Sequence, residues 1–369
     1  MTLAARLPAY TWDRLAPLKQ KALKSHNGVI DLSVGSPADP VPDVIRTALA
    51  DASDWPGYPA TAGTAALREA AAGWLASDCG VMVGPEAVLP VIGTKELIAS
   101  LPAQLGLGPG DVVMHPALAY PTYDAGARLA GAAALPADSL LAAGPGRVRL
   151  VWVNSPSNPT GQVLPVGHLR KVVAWARERG CVVASDECYL TLGWEAEPVS
   201  ILHPSVCDGS HDGLLAVHSL SKRSNLAGYR AGFVTGDPAL IAELLEIRKH
   251  AGLIVPGPVQ AAMTAALNDP AHAAGQRSRY YERRAVLIKA FAEAGWRIDH
   301  SEAGLYLWVA LPGHDCWAAA DLLAAEGVLV APGELYGPGG GQHVRVALTA
   351  TDERVAVAAR AIASLRTSG

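Results

Sequence analysis

The sequence predicts an α/β protein whose large domain contains a mainly parallel β-sheet covered by helices, followed by a small α+β domain. Four short apolar runs, at 111–116, 148–156, 181–189 and 214–222, alternate with segments of helical spacing. Such alternation is typical of parallel strands joined by crossover helices. The chain has 369 residues, which is long for a single core. From about residue 277 onward, a charged helical stretch and short strand-like runs indicate a separate α+β unit.

The best supported crossover helix lies between the second and third apolar runs. Pro165 favours a helix start, and Gly180 favours a helix end. Between them, four apolar residues repeat at helical spacing and share one face: Leu169, Val172, Val173 and Ala176. These two runs and their helix therefore predict a strand–helix–strand unit with parallel strands. Another helix is expected near 315–326.

Composition and charge argue against several classes of protein. A net charge of −4 and an isoelectric point near 6.3 give no basic face for nucleic acid. No run reaches the roughly 20 apolar residues of a membrane span, and Pro8 and Asp13 interrupt the place of a signal peptide. We therefore expect a cytosolic protein. The five scattered cysteines form no C-x-x-C pair, so we expect them to be reduced and mostly buried, with no metal site.

The strongest local signal is SLSKR at 219–223, where the fourth apolar run ends, followed by GYRAG at 228–232. A lysine forms a Schiff base only as the free amine, so Lys222 would need burial or a nearby cation to lower its pKa. Arg223 and Arg230 are close to it in sequence. Taken alone, Lys222 is more readily interpreted as an exposed loop residue.

Two further strand ends carry polar residues. The segment NSPSNPTG at 154–161 follows one apolar run directly, and Asp186 ends the next. Ligands bind at the carboxyl edge of a parallel sheet, and a carboxylate there can pair with a ring nitrogen that must stay protonated. The alternatives are a pair of proline turns at 154–161 and a capping carboxylate at Asp186.

A possible phosphate site precedes a helical pattern near residue 95. Gly93 and Thr94 stand just before apolar residues of helical spacing, and a helix N-terminus offers free N–H groups and a favourable dipole to an anion. The spacing of a P-loop is absent. A simple N-cap role for Thr94 is the alternative interpretation.

Taken together and in this order, the motifs resemble the fold type I aminotransferases, in their class I/II branch. The resemblance runs essentially end to end, from VGSPADPVPDVI through GTKEL, NSPSNPTG, SDECY and SLSKRSNLAGYRAGF to VRVAL. It implies a large domain with a seven-stranded, mainly parallel sheet between helices. We expect residues 1–40 to pack with the small domain, 41–250 to form the large cofactor domain, and 251–369 to form the small one.

The same resemblance implies pyridoxal 5'-phosphate as the cofactor and assigns a role to each matching residue. Lys222 would hold the cofactor as a Schiff base and move the substrate proton, while Asp186 would bind the pyridinium nitrogen. Asn158 and Tyr189 would bind the 3-oxygen, and Tyr120 would stack on the ring. The phosphate-binding set would be Gly93, Thr94, Lys95, Ser219 and Arg230.

Three further residues match substrate and subunit contacts of the family. Arg345 would form a fork with the substrate α-carboxylate, with Asn158 also on the substrate side, and Gly35 would add a backbone contact. Tyr58 would reach the cofactor phosphate of a neighbouring subunit, which implies a homodimer. An ordinary packed aromatic residue beside Pro59 is the alternative for Tyr58.

Three N-terminal segments, LPAYTWDRLAPLKQKA, DLSVGSPADPVPDVIR and GYPATAGTAALREA, most resemble those of the N-succinyldiaminopimelate aminotransferases of actinobacteria. This implies amino transfer between glutamate and N-succinyl-2-amino-6-oxopimelate, in lysine and diaminopimelate biosynthesis. Both substrates are polyanionic, so a second cationic group must lie opposite Arg345, with Lys95 and Arg223 as candidates. Glu334 would lie near the site, either beside a substrate amine or as a surface carboxylate.

Other activities of the same fold stay open. Aspartate, alanine or aromatic amino acid transfer would use the same cofactor residues, and a carbon–sulfur lyase or decarboxylase would share Lys222 and Asp186. Arg345 and the N-terminal carboxylate segment favour amino transfer. A non-catalytic regulator would carry an additional DNA-binding domain, and the family pattern begins within the first few dozen residues.

Overall fold

The computed structural model describes residues 3–144 and 146–365. In chain order the strands are β1 (Ile30–Asp31), β2 (Val88–Ile92), β3 (Val112–His115), β4 (Ala133–Pro136), β5 (Val148–Asn154), β6 (Val182–Asp186), β7 (Leu214–Ser219), β8 (Ala231–Gly236), β9 (Arg297–His300), β10 (Tyr306–Ala310), β11 (Val328–Leu329), β12 (Ala331–Pro332) and β13 (Val344–Ala347). The helices are α1 (Ala16–Ala22), α2 (Asp43–Asp51), α3 (Ala65–Cys79), α4 (Thr94–Gln104), α5 (Thr122–Ala130), α6 (Val166–Arg179), α7 (Pro204–Cys207), α8 (Leu220–Arg223), α9 (Pro238–Ala251), α10 (Gly257–Asn268), α11 (Pro270–Glu293), α12 (Cys316–Ala325) and α13 (Asp352–Ser364).

The large sheet has seven strands in the order β2-β8-β7-β6-β5-β3-β4. Strands β4, β3, β5, β6 and β7 pair in parallel, whereas β8 runs antiparallel to both β7 and β2. The predicted mainly parallel sheet is confirmed, and each of the four apolar runs contains one of its strands. Because β2 is antiparallel to β8, it ends at the same edge as β5, β6 and β7. That edge therefore collects the carboxyl ends of these strands and the start of β8.

Helices cover both faces of this sheet. Apolar residues of α4, α5 and α9 form one core with the sheet, and those of α3, α6 and α10 form the core on the other face. Helix α6 begins after Pro165 and ends at Gly180, which adopts a left-handed conformation, and its four predicted apolar residues are buried. The crossover predicted from the sequence is thus present with both of its signals in place.

A second sheet and a third core lie in the C-terminal part. Strands β12, β13, β10 and β9 form an antiparallel sheet in that order, packed with helices α11 to α13. The N-terminal segment joins this core through Leu15, Leu18, Ile30 and Leu32, and β1 pairs in parallel with β11. Residues almost 300 positions apart therefore share one core.

The expectations about membrane spans and about cysteine burial can be compared with the structure. Within the described part of the chain, no helix has the length and apolar character that crossing a membrane requires. Three of the five free cysteines, Cys181, Cys207 and Cys316, are buried, while Cys79 and Cys188 are partly exposed.

Candidate active site

A cavity of about 430 Å³ lies at the carboxyl edge of the large sheet, facing the C-terminal core. Eleven of the residues singled out in the sequence line it: Gly35, Thr94, Lys95, Tyr120, Asn158, Asp186, Tyr189, Ser219, Lys222, Arg230 and Arg345. They come from strand ends and loops separated by up to 310 positions, from residue 35 to residue 345. The fold thus gathers in one place the polar residues that the sequence distributes over many motifs.

Lys222 lies in α8, the single helical turn that follows β7. The Ser219 hydroxyl accepts a hydrogen bond from the Ser221 N–H at 3.2 Å and caps this turn. The Lys222 ammonium donates to the Gly35 carbonyl oxygen. Desolvation lowers the pKa of Lys222, and the charges of Arg345 and Arg230 act in the same direction. Lys222 is therefore an amine with a reduced proton affinity inside a cavity, and not the exposed loop residue of the alternative interpretation.

Of the two candidates for a second cation opposite Arg345, Lys95 lines the cavity and Arg223 does not. The turn of α8 directs it to the other face, where its Nη1 donates to the Ala266 carbonyl at 2.8 Å. Its guanidinium carbon lies 5.6 Å from the ring centroid of Trp74. Adjacent residues in a helical turn point about 100° apart, so sequence proximity to Lys222 was a poor guide. Arg345 and Arg230 are the cations whose charges act on Lys222.

Asp186 is the last residue of β6 and is buried. One carboxylate oxygen accepts from the Tyr123 hydroxyl at 2.8 Å, and the other accepts from the Cys188 N–H at 3.2 Å. Burial raises the pKa of Asp186, while these hydrogen bonds and the charge of Lys222 oppose the rise. The Asn154 amide donates to the Asp186 carbonyl at 2.9 Å and fixes the end of the strand. A cationic ring nitrogen at this carboxylate would relieve the cost of its burial.

Tyr123 was missed in the sequence. It is fully buried in α5 and stacks on Trp152 with ring centroids 5.0 Å apart. Its signal was present in the segment HPALAYPTY, where a second aromatic residue follows Tyr120 three positions later, near a helix start. Its hydroxyl is the side-chain donor that orients Asp186.

Replacing Tyr123 with Phe should lower the free energy of unfolding by about 1.5–3 kcal/mol at pH 7, because a buried carboxylate loses a hydrogen bond. Urea unfolding measures this difference. The matched control is Tyr281→Phe, since Tyr281 is an exposed tyrosine on α11 and should lose less than about 0.5 kcal/mol. Equal losses for both variants would show that the Tyr123 hydroxyl does not support Asp186.

Arg345 projects from β13 and is only 2% exposed. Its Nη1 donates to the Asn158 side-chain oxygen at 2.7 Å, and its Nη2 donates to the Ser33 carbonyl. The guanidinium carbon lies 4.0 Å from the ring centroid of Tyr306 and 4.8 Å from that of Tyr336. Aromatic faces and carbonyl oxygens therefore hold a planar cation in a fixed orientation beside the cavity.

Gly35 and Tyr189 meet at Tyr306, which also lines the cavity. The hydroxyl groups of Tyr189 and Tyr306 are 2.9 Å apart, and burial raises the pKa of Tyr189. A Cβ atom at Gly35 would overlap the Tyr306 hydroxyl. Glycine is thus the residue that allows the N-terminal backbone to approach so closely.

The opposite end of the cavity is suited to an anion. Gly93, with φ of 73°, caps α4, and Thr94 is the first helical residue, so Thr94 is not the N-cap. Arg230 adopts φ of 56° just before β8, and a Cβ atom at Gly93 would overlap its guanidinium. With Ser219 also on the cavity wall, a helix N-terminus, hydroxyl groups and a guanidinium converge as phosphate binding requires.

The N-terminal segment supplies side chains that sequence reasoning did not assign to the site. Tyr10 and Trp12 both line the cavity. The Lys95 ammonium donates to the Tyr10 hydroxyl at 3.4 Å and lies 6.0 Å from the ring centroid of Tyr120. Trp12 packs edge-on against Tyr336, with centroids 6.2 Å apart. This part of the wall is therefore aromatic with one exposed ammonium group.

Three other residues of interest have different positions. Tyr58 lies outside the cavity lining and is 97% exposed. The Glu334 carboxylate accepts from Trp317 at 2.7 Å and pairs with Arg14 at 3.3 Å, so the surface interpretation of Glu334 agrees with the structure. Cys188 differs from the expected buried cysteine, because it lines the cavity and donates to the Thr94 hydroxyl at 3.5 Å.

These features fit pyridoxal 5'-phosphate. A buried carboxylate, Asp186, suits a pyridinium nitrogen, and an amine with a lowered pKa, Lys222, suits the aldehyde carbon. The end of the cavity at Gly93, where the N-terminus of α4 lies beside the Arg230 guanidinium, suits the phosphate. Each part of the cofactor would thus meet a group of matching charge or reactivity.

Comparisons with known proteins agree with this geometry. The family model for aminotransferase class I and II matches residues 27–362. A probable aminotransferase of Mycobacterium tuberculosis is 64% identical over 96% of this chain and 85% of that protein. The 4-dedimethylamino-4-oxo-anhydrotetracycline transaminase OxyQ of Streptomyces rimosus is 61% identical over 96% of this chain and 98% of that protein.

Solved structures extend the agreement to the fold. The structure of a probable N-succinyldiaminopimelate aminotransferase from Thermus thermophilus superposes with a TM-score of 0.87 and 30% identity, over 96% of this chain and all of that one. Both the sequence match and the fold therefore span nearly the whole chain. The chain belongs to the class I and II aminotransferases of fold type I, a family of pyridoxal-phosphate-dependent transaminases.

Proposed function

We propose that this aminotransferase passes an amino group between glutamate and N-succinyl-2-amino-6-oxopimelate, with 2-oxoglutarate and the succinylated diaminopimelate as the other pair. The observation that carries the proposal is that two cationic side chains, the buried Arg345 and the exposed Lys95, line the cavity in addition to Lys222 and Arg230, which are assigned to the cofactor. One cation suits the α-carboxylate and the second suits a distal carboxylate. The similarity to the probable N-succinyldiaminopimelate aminotransferase supports the same choice.

The residues of the cavity have different roles in amino transfer. When bound, pyridoxal phosphate withdraws electrons from the substrate Cα and weakens its C–H bond. Lys222 would be the base that takes the Cα proton and returns it at the cofactor carbon, and its lowered pKa increases the fraction of free amine. Asp186 holds the ring nitrogen in its protonated form, and Tyr123 orients Asp186.

Other side chains bind and orient the substrate and the cofactor. Arg345, which Asn158 and the Ser33 carbonyl hold in place, receives the α-carboxylate. Asn158 and Tyr189 would bind the 3-oxygen of the ring and Tyr120 would cover its face, and all three residues line the cavity. Thr94, Ser219 and Arg230 would receive the phosphate beside Gly93, while the Lys95 ammonium, which donates to the Tyr10 hydroxyl, is assigned to the substrate.

Lys95→Ser should raise the KM for 2-oxoglutarate and for the succinylated substrate about tenfold, while the KM for alanine changes less than about twofold. The loss of one exposed cation near a distal carboxylate corresponds to about 1.4 kcal/mol or less. Steady-state kinetics with each substrate measures the difference. Lys289→Ser, at an exposed lysine on α11, is the matched control. An equal change in KM for alanine would show that Lys95 does not bind the distal carboxylate.

A second candidate is amino transfer to a ketone on a fused-ring or aromatic substrate. The wall beside Lys95 is formed by the rings of Tyr10, Trp12 and Tyr120, and such faces favour stacking on flat substrates. The similarity to OxyQ, whose name describes a tetracycline ketone as its substrate, supports this candidate. Transfer to the succinylated 2-oxo acid is placed first because a cationic residue lies among these rings.

We further propose that the active unit is a homodimer. Tyr58 is a large aromatic residue with 97% of its surface exposed, and the family resemblance places it against the cofactor phosphate of a second copy. Burial of such a side chain between subunits would recover its apolar area from water. Analytical ultracentrifugation should give a dimer, and a monomer of full activity would contradict this proposal.

Substrate choice is tested by half-reactions of the cofactor-loaded protein. N-succinyl-L,L-diaminopimelate, glutamate, aspartate, alanine and phenylalanine are added separately, and the absorbance of the bound cofactor reports conversion to its amine form. The proposal expects the succinylated substrate and glutamate to react with the highest kcat/KM. Faster reaction of phenylalanine would favour the aromatic candidate. A cysteine thioether is added as a further substrate, and release of a thiol, pyruvate and ammonia from it without conversion of the cofactor would indicate a carbon–sulfur lyase.

A further inference from the structure

Two ionisable side chains lie directly behind the cavity and do not line it. Glu187 follows Asp186 at the end of β6, and His218 precedes Ser219 at the end of β7. Glu187 is 3% exposed and His218 is 2% exposed. Because successive residues of a strand face opposite sides of the sheet, both residues lie next in sequence to predicted cofactor contacts and point away from them.

The unpartnered atoms of this pair face each other. One Glu187 oxygen accepts from the Ile201 N–H at 2.7 Å. In the described part of the chain, the other oxygen and both ring nitrogens of His218 have no hydrogen-bond partner. That oxygen, Oε2, lies 3.7 Å from His218 Nε2, and the imidazole is packed between Trp74 and Phe233, with centroids 5.4 and 5.0 Å away. The hydroxyl groups of Ser185 and Ser200 also bond to the Glu187 carboxyl group, so His218 is the titratable partner of a carboxyl group that has several polar neighbours.

The charged and titratable groups around the pair come from three elements. Asp186 is adjacent on β6 and raises the pKa of Glu187, Cys79 of α3 is near enough to be influenced by Glu187, and Arg223 of α8 lies over Trp74. Among the described residues, His218 is the single cation-forming group within 4.0 Å of the Glu187 carboxylate.

Burial determines the protonation states of Glu187 and His218. A net charge in an apolar interior is costly, so buried groups tend to neutral forms. Desolvation raises the pKa of Glu187 to about 7 and lowers the pKa of His218 to about 3. Both shifts favour a protonated carboxyl group beside a neutral imidazole, which together hold one proton and no net charge.

We propose that Glu187 and His218 are a proton-sharing pair that carries no net charge behind the cofactor site, so that Asp186 is the only anionic side chain at the end of β6. The pair acts through Asp186 and is therefore a positioning pair. Its consequence for the cofactor rests on the pyridoxal phosphate site described above, but its proton balance can be measured without turnover.

The pH dependence of folding tests the sharing of the proton. Wild type, E187Q, H218Q and the double variant are unfolded in urea as cofactor-saturated proteins between pH 4.5 and 6.5. In wild type, these two groups should leave the folding constant independent of pH over this range. The pair holds one proton in the folded state and one proton in the unfolded state, so folding neither takes up nor releases a proton. In E187Q only His218 remains, and its lowered pKa makes the folding constant rise with pH. In H218Q only Glu187 remains, and its raised pKa makes the constant fall.

Relative to wild type, the folding constant should change by about tenfold per pH unit, or up to about a hundredfold over the range. It should rise with pH in E187Q and fall with pH in H218Q. The double variant should run parallel to wild type. Glu243→Gln, at an exposed carboxylate on α9, is the matched control and should show neither slope. Constant offsets in E187Q and H218Q, independent of pH, would overturn the proposal.

Two spectra locate the proton. At pH 6, the infrared carbonyl band of a protonated carboxyl group should be present in wild type, be lost in E187Q and persist in E243Q. E187Q should leave the pH midpoint of the absorbance change of the bound cofactor unchanged, since a neutral group replaces a neutral group. Absence of the band, or a midpoint shift of about one pH unit, would show that Glu187 is charged and would contradict the proposal, whichever substrate the enzyme uses.

Discussion

Lys222→Ala should lower kcat/KM for every amino donor by at least about 10⁴-fold, because one substitution removes both the covalent attachment of the cofactor and the base that moves the Cα proton. The amine lies in the cavity beside Asp186, and its pKa is lowered by desolvation and by the charges of Arg345 and Arg230. Single-turnover absorbance measurements with glutamate give the rate directly.

Lys171→Ala is the matched control for this experiment, since Lys171 is an exposed lysine on α6 and should react as wild type does. Addition of a small primary amine should restore part of the lost rate in the Lys222 variant, because a diffusing base can take the place of the missing side chain. If the Lys222→Ala protein retained more than a hundredth of the wild-type rate, Lys222 would not be the base of the proton transfer.

Arg345→Lys should lower kcat/KM for amino acids by about 100-fold or more. Lysine cannot form the two parallel hydrogen bonds of a guanidinium with a carboxylate, and it cannot replace the donors to Asn158 and the Ser33 carbonyl. A loss of about 3 kcal/mol is in the range of a charged hydrogen-bond pair. The measurement is kcat/KM with glutamate for both proteins.

A primary amine without a carboxylate serves as the control substrate for Arg345→Lys. Its slow reaction should change less than about threefold, because it makes no contact that the substitution removes. An equal loss for the amine and the amino acid would show that Arg345 supports the fold of the site and does not bind the carboxylate.

The parts of the fold that the sequence predicts are those with local signals. Helix α6 and strands β5 to β7 are marked by periodicity, Pro165 and Gly180, and the parallel edge then places Asp186 and Lys222 together. Here the local pattern and the tertiary arrangement agree, so that the polar residues at strand ends become one site.

Contacts between distant segments have no such signal. Tyr10 and Trp12 reach the cavity because the N-terminal segment packs on the C-terminal core, through pairing of β1 with β11. Nothing in the spacing of these residues encodes that packing. The nearness of Arg223 to Lys222 in sequence makes it a candidate for the pocket, but the direction of a side chain within a helical turn decides the face it occupies.

Glu187 was passed over for the opposite reason. It stands beside Asp186 in sequence, yet the alternation of a strand sends it to the other face, where His218 lies. A pattern of acidic residues shows that carboxylates are present at a strand end. Only the arrangement of the neighbouring strand and of Trp74 shows which of them is paired.

The central claim is that one cavity, centred on Lys222, holds pyridoxal phosphate and exchanges an amino group. The most direct measurement is a rapid-mixing experiment in which the cofactor-loaded protein meets glutamate and then a 2-oxo acid. The account predicts conversion of the bound cofactor to its amine form by the first and its full return by the second, with neither step in Lys222→Ala. Failure of glutamate and of every other amino acid tested to convert the cofactor would contradict it.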